Sequence, residues 1–142
     1  MDTGKRKEPK AVTKEKIDEL LHFLPLFEKP GRKFVKKWVG DDEEDEFSII
    51  PYPIYFDDVH QFFRLAAQPC WWDKGYVKKK PGKMLKDSKN IENANIHEIK
   101  TMLTYFVRGE RFCDGFWDGV LSSGKVVALL KRLKVLRDQQ NF

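Results

Sequence analysis

The sequence predicts a mainly α-helical fold: about five or six short helices forming a single small domain, with one short extended or β element near residues 47–56. Three observations carry this. Apolar side chains recur at helical spacing in several separate segments. Proline and most glycines fall between those segments. Apolar residues make up 41% of the 142, with eleven Phe and four Trp, enough to close one core without disulfides or metal.

Residues 1–12 read as a flexible basic tail, polar and without periodicity, leaving 13–142 as the helical domain. Thr13 is placed to cap a first helix, in which Ile17, Leu20, Leu21 and Leu24 fall at i, i+3, i+4 and i+7. Pro25 ends it near Leu24. Beyond the turn at Pro30 and Gly31, the spacing of Phe34, Val35, Trp38 and Val39 fits a short helix better than a strand, although so brief a segment leaves the strand open. The run FSIIPYPIYF is rich in branched and aromatic residues but carries Pro51 and Pro53, so it reads as an edge-like extended segment. Asp58, with Gln61 three residues on, predicts a capping box for a helix whose stripe is Val59, Phe62, Phe63 and Ala66. A short helix at Met84 to Lys89 is compatible with the pattern.

The last third is the most legible. Asn95 and Glu98 are spaced as a capping box, and Ile96, Ile99, Leu103 and Phe106 run down one face. Gly109 stands where a C-cap glycine belongs. A second helix carrying Phe112, Phe116 and Val120 follows. After the break at Ser122–Gly124 comes a final helix with Val126, Leu129, Leu130, Leu133 and Leu136 inward, and Lys131, Arg132, Lys134 and Arg137 on its wet side.

Charge is distributed in blocks. The net charge is +5, yet residues 41–46 read DDEEDE while 74–89 hold seven lysines and one aspartate. Both blocks read as solvated loops. No apolar run approaches the roughly 20 residues of a membrane span. The charged first residues lack an apolar signal region, and Cys70 and Cys113 lie far apart, so a reduced, cytoplasmic protein is predicted. No cofactor is implied: SSGK lacks the first glycine of a phosphate loop, and HEIKT is not a zinc helix. His22, His60 and His97 lie on separate segments and read as surface or helix-end residues. Cys113, beside Phe112, reads as a buried packing residue rather than a nucleophile.

The stretch VRGERFCDGFWDG, residues 107–119, concentrates two arginines, three carboxylates, three aromatic rings and three glycines. If 110–122 is one helix, Glu110, Asp114 and Asp118 stand in line at i, i+4 and i+8 and repel one another. Arg108 and Arg111 are then expected to bridge them. Gly115 and Gly119 each weaken a helix interior by about 1 kcal/mol relative to alanine. Close approach of the final helix, or of a ligand, is the expected reason.

The segment VRGERFCDGFWDGVLSSGKVVALLKRL resembles the C-terminal signature of an uncharacterised family of small bacterial and archaeal proteins, a domain of unknown function. PYPIYFDDVHQFF and LLHFLPLFE resemble the same family's middle and start, so the likeness covers about residues 15–137. The resemblance implies a free-standing domain and no particular activity. The acid run and the lysine segment look peculiar to this chain.

Three functional readings follow. The first is a non-enzymatic binding or adaptor domain that recognises a protein or a small acidic ligand through Arg108, Glu110, Arg111, Asp114, Trp117 and Asp118. The second is a nucleic-acid-binding accessory protein. In it Trp71, Trp72 and Tyr76 stack bases, and Lys78, Lys79, Lys80 and Lys83 neutralise phosphates. The third is a metal-dependent hydrolase whose hard oxygen ligands come from Glu110, Asp114 and Asp118.

Overall fold

Helices carry the architecture of the computed structural model, which describes residues 11–40 and 50–142. The expected tail up to residue 10, the acid run, and the part of the extended element before residue 50 lie outside the described residues. Eight α-helices occur among those described: α1 (Lys14–Leu21), α2 (Leu24–Phe27), α3 (Asp57–Ala66), α4 (Pro81–Met84), α5 (Ser88–Glu92), α6 (Ile96–Phe112), α7 (Phe116–Ser122) and α8 (Lys125–Asp138). Two strands, β1 (Val35–Val39) and β2 (Tyr52–Tyr55), pair antiparallel between α2 and α3. Short 3-10 turns at Pro69–Trp71 and Tyr76–Lys79 link α3 to α4. No helix among the described residues is long and apolar enough to cross a membrane.

One apolar cluster joins these elements. The α8 stripe is wholly buried and packs against α1, α2, α5, α6 and α7, with Phe62, Phe106 and Trp71 also inside. Phe23, Phe27, Phe34 and Phe62 meet mainly edge to face at 5.2 to 5.7 Å, the arrangement ring quadrupoles favour. Thr13 caps α1 through the Lys16 amide. Asn95 and Glu98 form the complete capping box at the start of α6.

Six local expectations need correction. Met84 to Lys89 is not one helix: α4 ends at Met84, residues 85–87 turn, and α5 begins at Ser88. Residues 35–39 form a strand, not a helix. A bulge at Lys36 shifts the register between Val35 and Lys37, so the apolar residues lose strict alternation and mimic helical spacing. The first helix stops at Leu21, and Pro25 instead occupies the first turn of α2, where its missing N–H costs nothing. Asp58 caps nothing: the N-cap of α3 is Phe56. The Asp58 carboxylate receives both arms of Arg32, at 2.6 and 2.7 Å. Phe112 belongs to the end of α6 and is 74% exposed. Cys113 is exposed beside it.

The Arg32 guanidinium also lies within 5.0 to 5.7 Å of the Phe27, Phe34 and Phe56 rings, tying the α2–β1 corner to α3. The hydrogen bonds from Arg32 hold the Asp58 carboxyl below its ordinary value of 3.8, against the opposing effect of burial. Burial pushes Asp73 upward, but bonds from Thr101, Lys79 and the Gly75 amide outweigh it and lower this carboxyl too. Both groups bind protons less readily folded than unfolded. Their stabilisation is therefore complete above the unfolded value and is lost as pH falls through the folded values. We expect the unfolding free energy, from urea titrations, to drop between about pH 5 and about pH 2, and Asp58→Asn to flatten that slope.

Candidate functional site

The stretch singled out in the sequence builds a corner between two helices. α6 continues through Gly109 to Phe112, the chain turns at Cys113–Gly115, and α7 begins at Phe116. Gly109 is thus a helix-interior residue and not a C-cap. A Cβ there would lie 2.1 Å from the Phe116 ring, so only glycine lets this ring lie on α6. Gly115 takes φ +92°, the left-handed region natural to glycine, and a Cβ there would meet the Trp38 ring at 2.9 Å.

Glu110 organises the corner. One carboxylate oxygen accepts the Gly115 amide at 2.9 Å; the other accepts the Trp117 amide at 2.8 Å and the Tyr55 hydroxyl at 2.9 Å. The Tyr55 oxygen in turn accepts the Asp118 amide at 3.2 Å. The unpaired donors at the start of α7 are therefore capped from outside the helix, by α6 and β2. Burial, reinforced by Glu110, raises the Tyr55 hydroxyl far above an ordinary phenol despite the opposing bond from Asp118, so it remains a donor to Glu110. Trp117 donates its indole N–H to the Phe106 carbonyl at 2.9 Å and stacks on Phe63 at 4.2 Å, nearly parallel.

This geometry overturns the expected line of carboxylates. Glu110 lies on α6, Asp114 in the exposed turn and Asp118 in α7, where it accepts the Ser122 hydroxyl. Arg108 and Arg111 form no ion pair with them. Among the described residues, no three His, Cys, Asp or Glu side chains gather so as to hold a metal ion. The final helix does not enter a groove made by Gly115 and Gly119: β1 fills the first position, and a Cβ at Gly119 would meet nothing within 4 Å.

What the corner does create is a cleft of about 440 Å³ between α3 and α6. Phe63 and Trp117 are aromatic walls, and His60, Arg64, Glu110 and Arg111 supply the polar groups. Arg64, Arg111 and His60 are exposed, and neither arginine makes an ion pair among the described residues. Of the lining residues, Glu110, Arg111 and Trp117 stand in the stretch that the sequence marks. His60 and Arg64 stand on the wet face of α3 and carry no local signal in the sequence, and Tyr55 is hidden there in an apolar run.

The second predicted surface is split. Trp71 is fully buried, with the Thr104 hydroxyl on its carbonyl, and cannot stack a base. Trp72 is 39% exposed, 5.6 Å beneath the Arg108 guanidinium and 6.3 Å from the half-buried Tyr76. Lys79 pairs with Asp73 at 3.0 Å, while Lys78, Lys80 and Lys83 are exposed without ion pairs among the described residues. Arg108, expected among the acids, is thus committed to Trp72.

A family model described as "Family of unknown function (DUF6508)" matches residues 12–139. The chain belongs to this family. No curated protein and no solved structure matches it. The match spans the domain from the start of α1 to the end of α8, so the corner and the cleft both lie within the DUF6508 region.

The corner yields predictions of opposite sign. Glu110→Ala should lower the unfolding free energy by about 3 kcal/mol and Tyr55→Phe by about 1 kcal/mol, because each leaves α7 donors unpaired. Gly109→Ala should cost about 3 kcal/mol or more, since the Phe116 ring must leave α6. Gly119→Ala should add roughly 0.5–1 kcal/mol, because its methyl enters open space in a helix interior. Urea titration of the four variants checks all of these.

Proposed function

We propose that this DUF6508 protein is a non-enzymatic binding module, and that the α3–α6 cleft receives an acidic group of its partner or ligand. The observation that carries this is that two exposed arginines, Arg64 and Arg111, line one cleft together with the Phe63 and Trp117 rings. Among the described residues, the one carboxylate lining the cleft, Glu110, has both oxygens engaged by the corner, so it does not neutralise either arginine by direct pairing. Planar guanidiniums bind carboxylate or phosphate with two parallel bonds, and an apolar wall strengthens such bonds by excluding water. Trp117 and Arg111 thereby keep the recognition role given to them, Glu110 becomes the residue that shapes the wall, and Asp114 and Asp118 stand outside the cleft. Isothermal titration with inorganic phosphate and with a glutamate-rich hexapeptide should give saturable binding that Arg64→Ala and Arg111→Ala each weaken by about tenfold. Tm should be unchanged in both variants. Equal binding by wild type and both variants would remove the cleft from consideration.

A second reading, nucleic-acid binding, rests on the partly exposed Trp72, which a lysine-rich segment follows in sequence. Here the ring and the unpaired Lys78, Lys80 and Lys83 do the work expected of the larger set, without Trp71. Retention of labelled single-stranded RNA should fall steeply with salt and disappear when these three lysines are changed to Gln.

A further inference from the structure

Gly119 poses a problem that the fold does not solve. It sits in the interior of α7, with its amide and carbonyl both in helical bonds, to Gly115 and from Ser123, at 3.0 Å. Its φ is not in the left-handed region, and no atom lies where its Cβ would be. Neither backbone strain nor close packing calls for glycine here, yet glycine weakens a helix interior relative to alanine. The two neighbouring glycines differ: Gly109 admits Phe116 and Gly115 admits both Trp38 and a left-handed turn.

The empty position opens into a groove of about 410 Å³ between α4, α6, α7 and the start of α8, away from the α3–α6 cleft. Its walls are apolar: Leu85, Val120, and the Tyr105 and Phe116 rings, which meet edge to face at 5.3 Å. Lys86 and Lys125 also line it; among the described residues no acidic residue does, and neither lysine makes an ion pair. Lys125 is the first residue of α8, a 14-residue helix whose N-cap, Gly124, supplies no side-chain acceptor. The positive end of that helix adds to the charge on this side. The volume is near the lower limit of small-molecule pockets and too small for a packed partner helix.

We infer that this groove is a second binding site, for a small molecule with an apolar body and a single carboxylate, and that Gly119 is glycine to leave room for it. The apolar body lies along Phe116, Tyr105 and the bare face of α7; the carboxylate is held by Lys86 and Lys125. No bond is made or broken.

The test is titration of the ¹⁵N-labelled full chain with octanoate and with 4-phenylbutyrate, each beside its uncharged primary amide, followed by amide NMR shifts. At least one acid should give saturable shifts centred on Gly119, Val120 and Lys86, and its amide should bind about tenfold more weakly or worse. A Cβ at Gly119 meets nothing within 4 Å, so Gly119→Leu can place its side chain in the groove; it should abolish the shifts while its spectrum stays folded. Lys86→Gln with Lys125→Gln should weaken binding by a similar factor, and Arg111→Ala should leave it unchanged. The inference is overturned if neither acid binds, if acid and amide bind alike, or if Gly119→Leu binds as wild type does. It is equally overturned if the shifts centre on Arg64 and Arg111 and vanish in Arg111→Ala, which would assign the acids to the cleft.

Discussion

The Glu110 carboxylate is the interaction on which the C-terminal third depends. A short helix such as α7 is too small to persist alone, because the donors of its first turn have no partners within it and few residues propagate it. Glu110 reaches across from α6 to take two of those donors, and Tyr55 of β2 takes a third. Two consecutive helices and a strand distant from them in sequence are thereby locked at one point. Since Tyr55 retains its proton, it can join the carboxylate to the helix as donor to one and acceptor from the other.

With α7 fixed in this way, its two adjacent aromatic residues are sent in different directions. Phe116 lies on α6 where Gly109 leaves a gap, and helps to wall the groove. Trp117 turns toward α3, stacks on Phe63 and walls the cleft. α7 is therefore a partition: both candidate binding regions are set by its orientation, and its orientation is set by Glu110. A ring placed on the wrong side would close one region and leave the other without a wall.

Elsewhere the charged groups serve the fold more than a ligand. Arg32 satisfies Asp58 while resting among three phenylalanine rings. Asp73 gathers Thr101, Lys79 and the Gly75 amide, holding the lysine-rich segment against α6. Arg137 joins α8 to Asp18 of α1 at 2.7 Å. Against these committed groups, the cations lining the cleft and the groove are distinguished by having no such partner among the described residues.

Local pattern alone determined the mainly helical class, the caps at Thr13 and Asn95, and the buried face of α8, because a repeat of apolar residues along one helix needs no knowledge of the neighbours. It also marked residues 107–119 as unusual. What it could not supply was the partner of each residue there. A glutamate four residues from an aspartate reads as repulsion on one helix, and only the turn at Cys113–Gly115 separates them and aims Glu110 at amide donors. The β1 strand was obscured because its bulge displaces the alternation that identifies strands, and its pairing with β2 is a contact across the intervening chain. The same distinction divides the three glycines: composition makes them equal, but what occupies the space beside each is decided by Phe116, by Trp38, or by nothing, and that is a property of the packed structure.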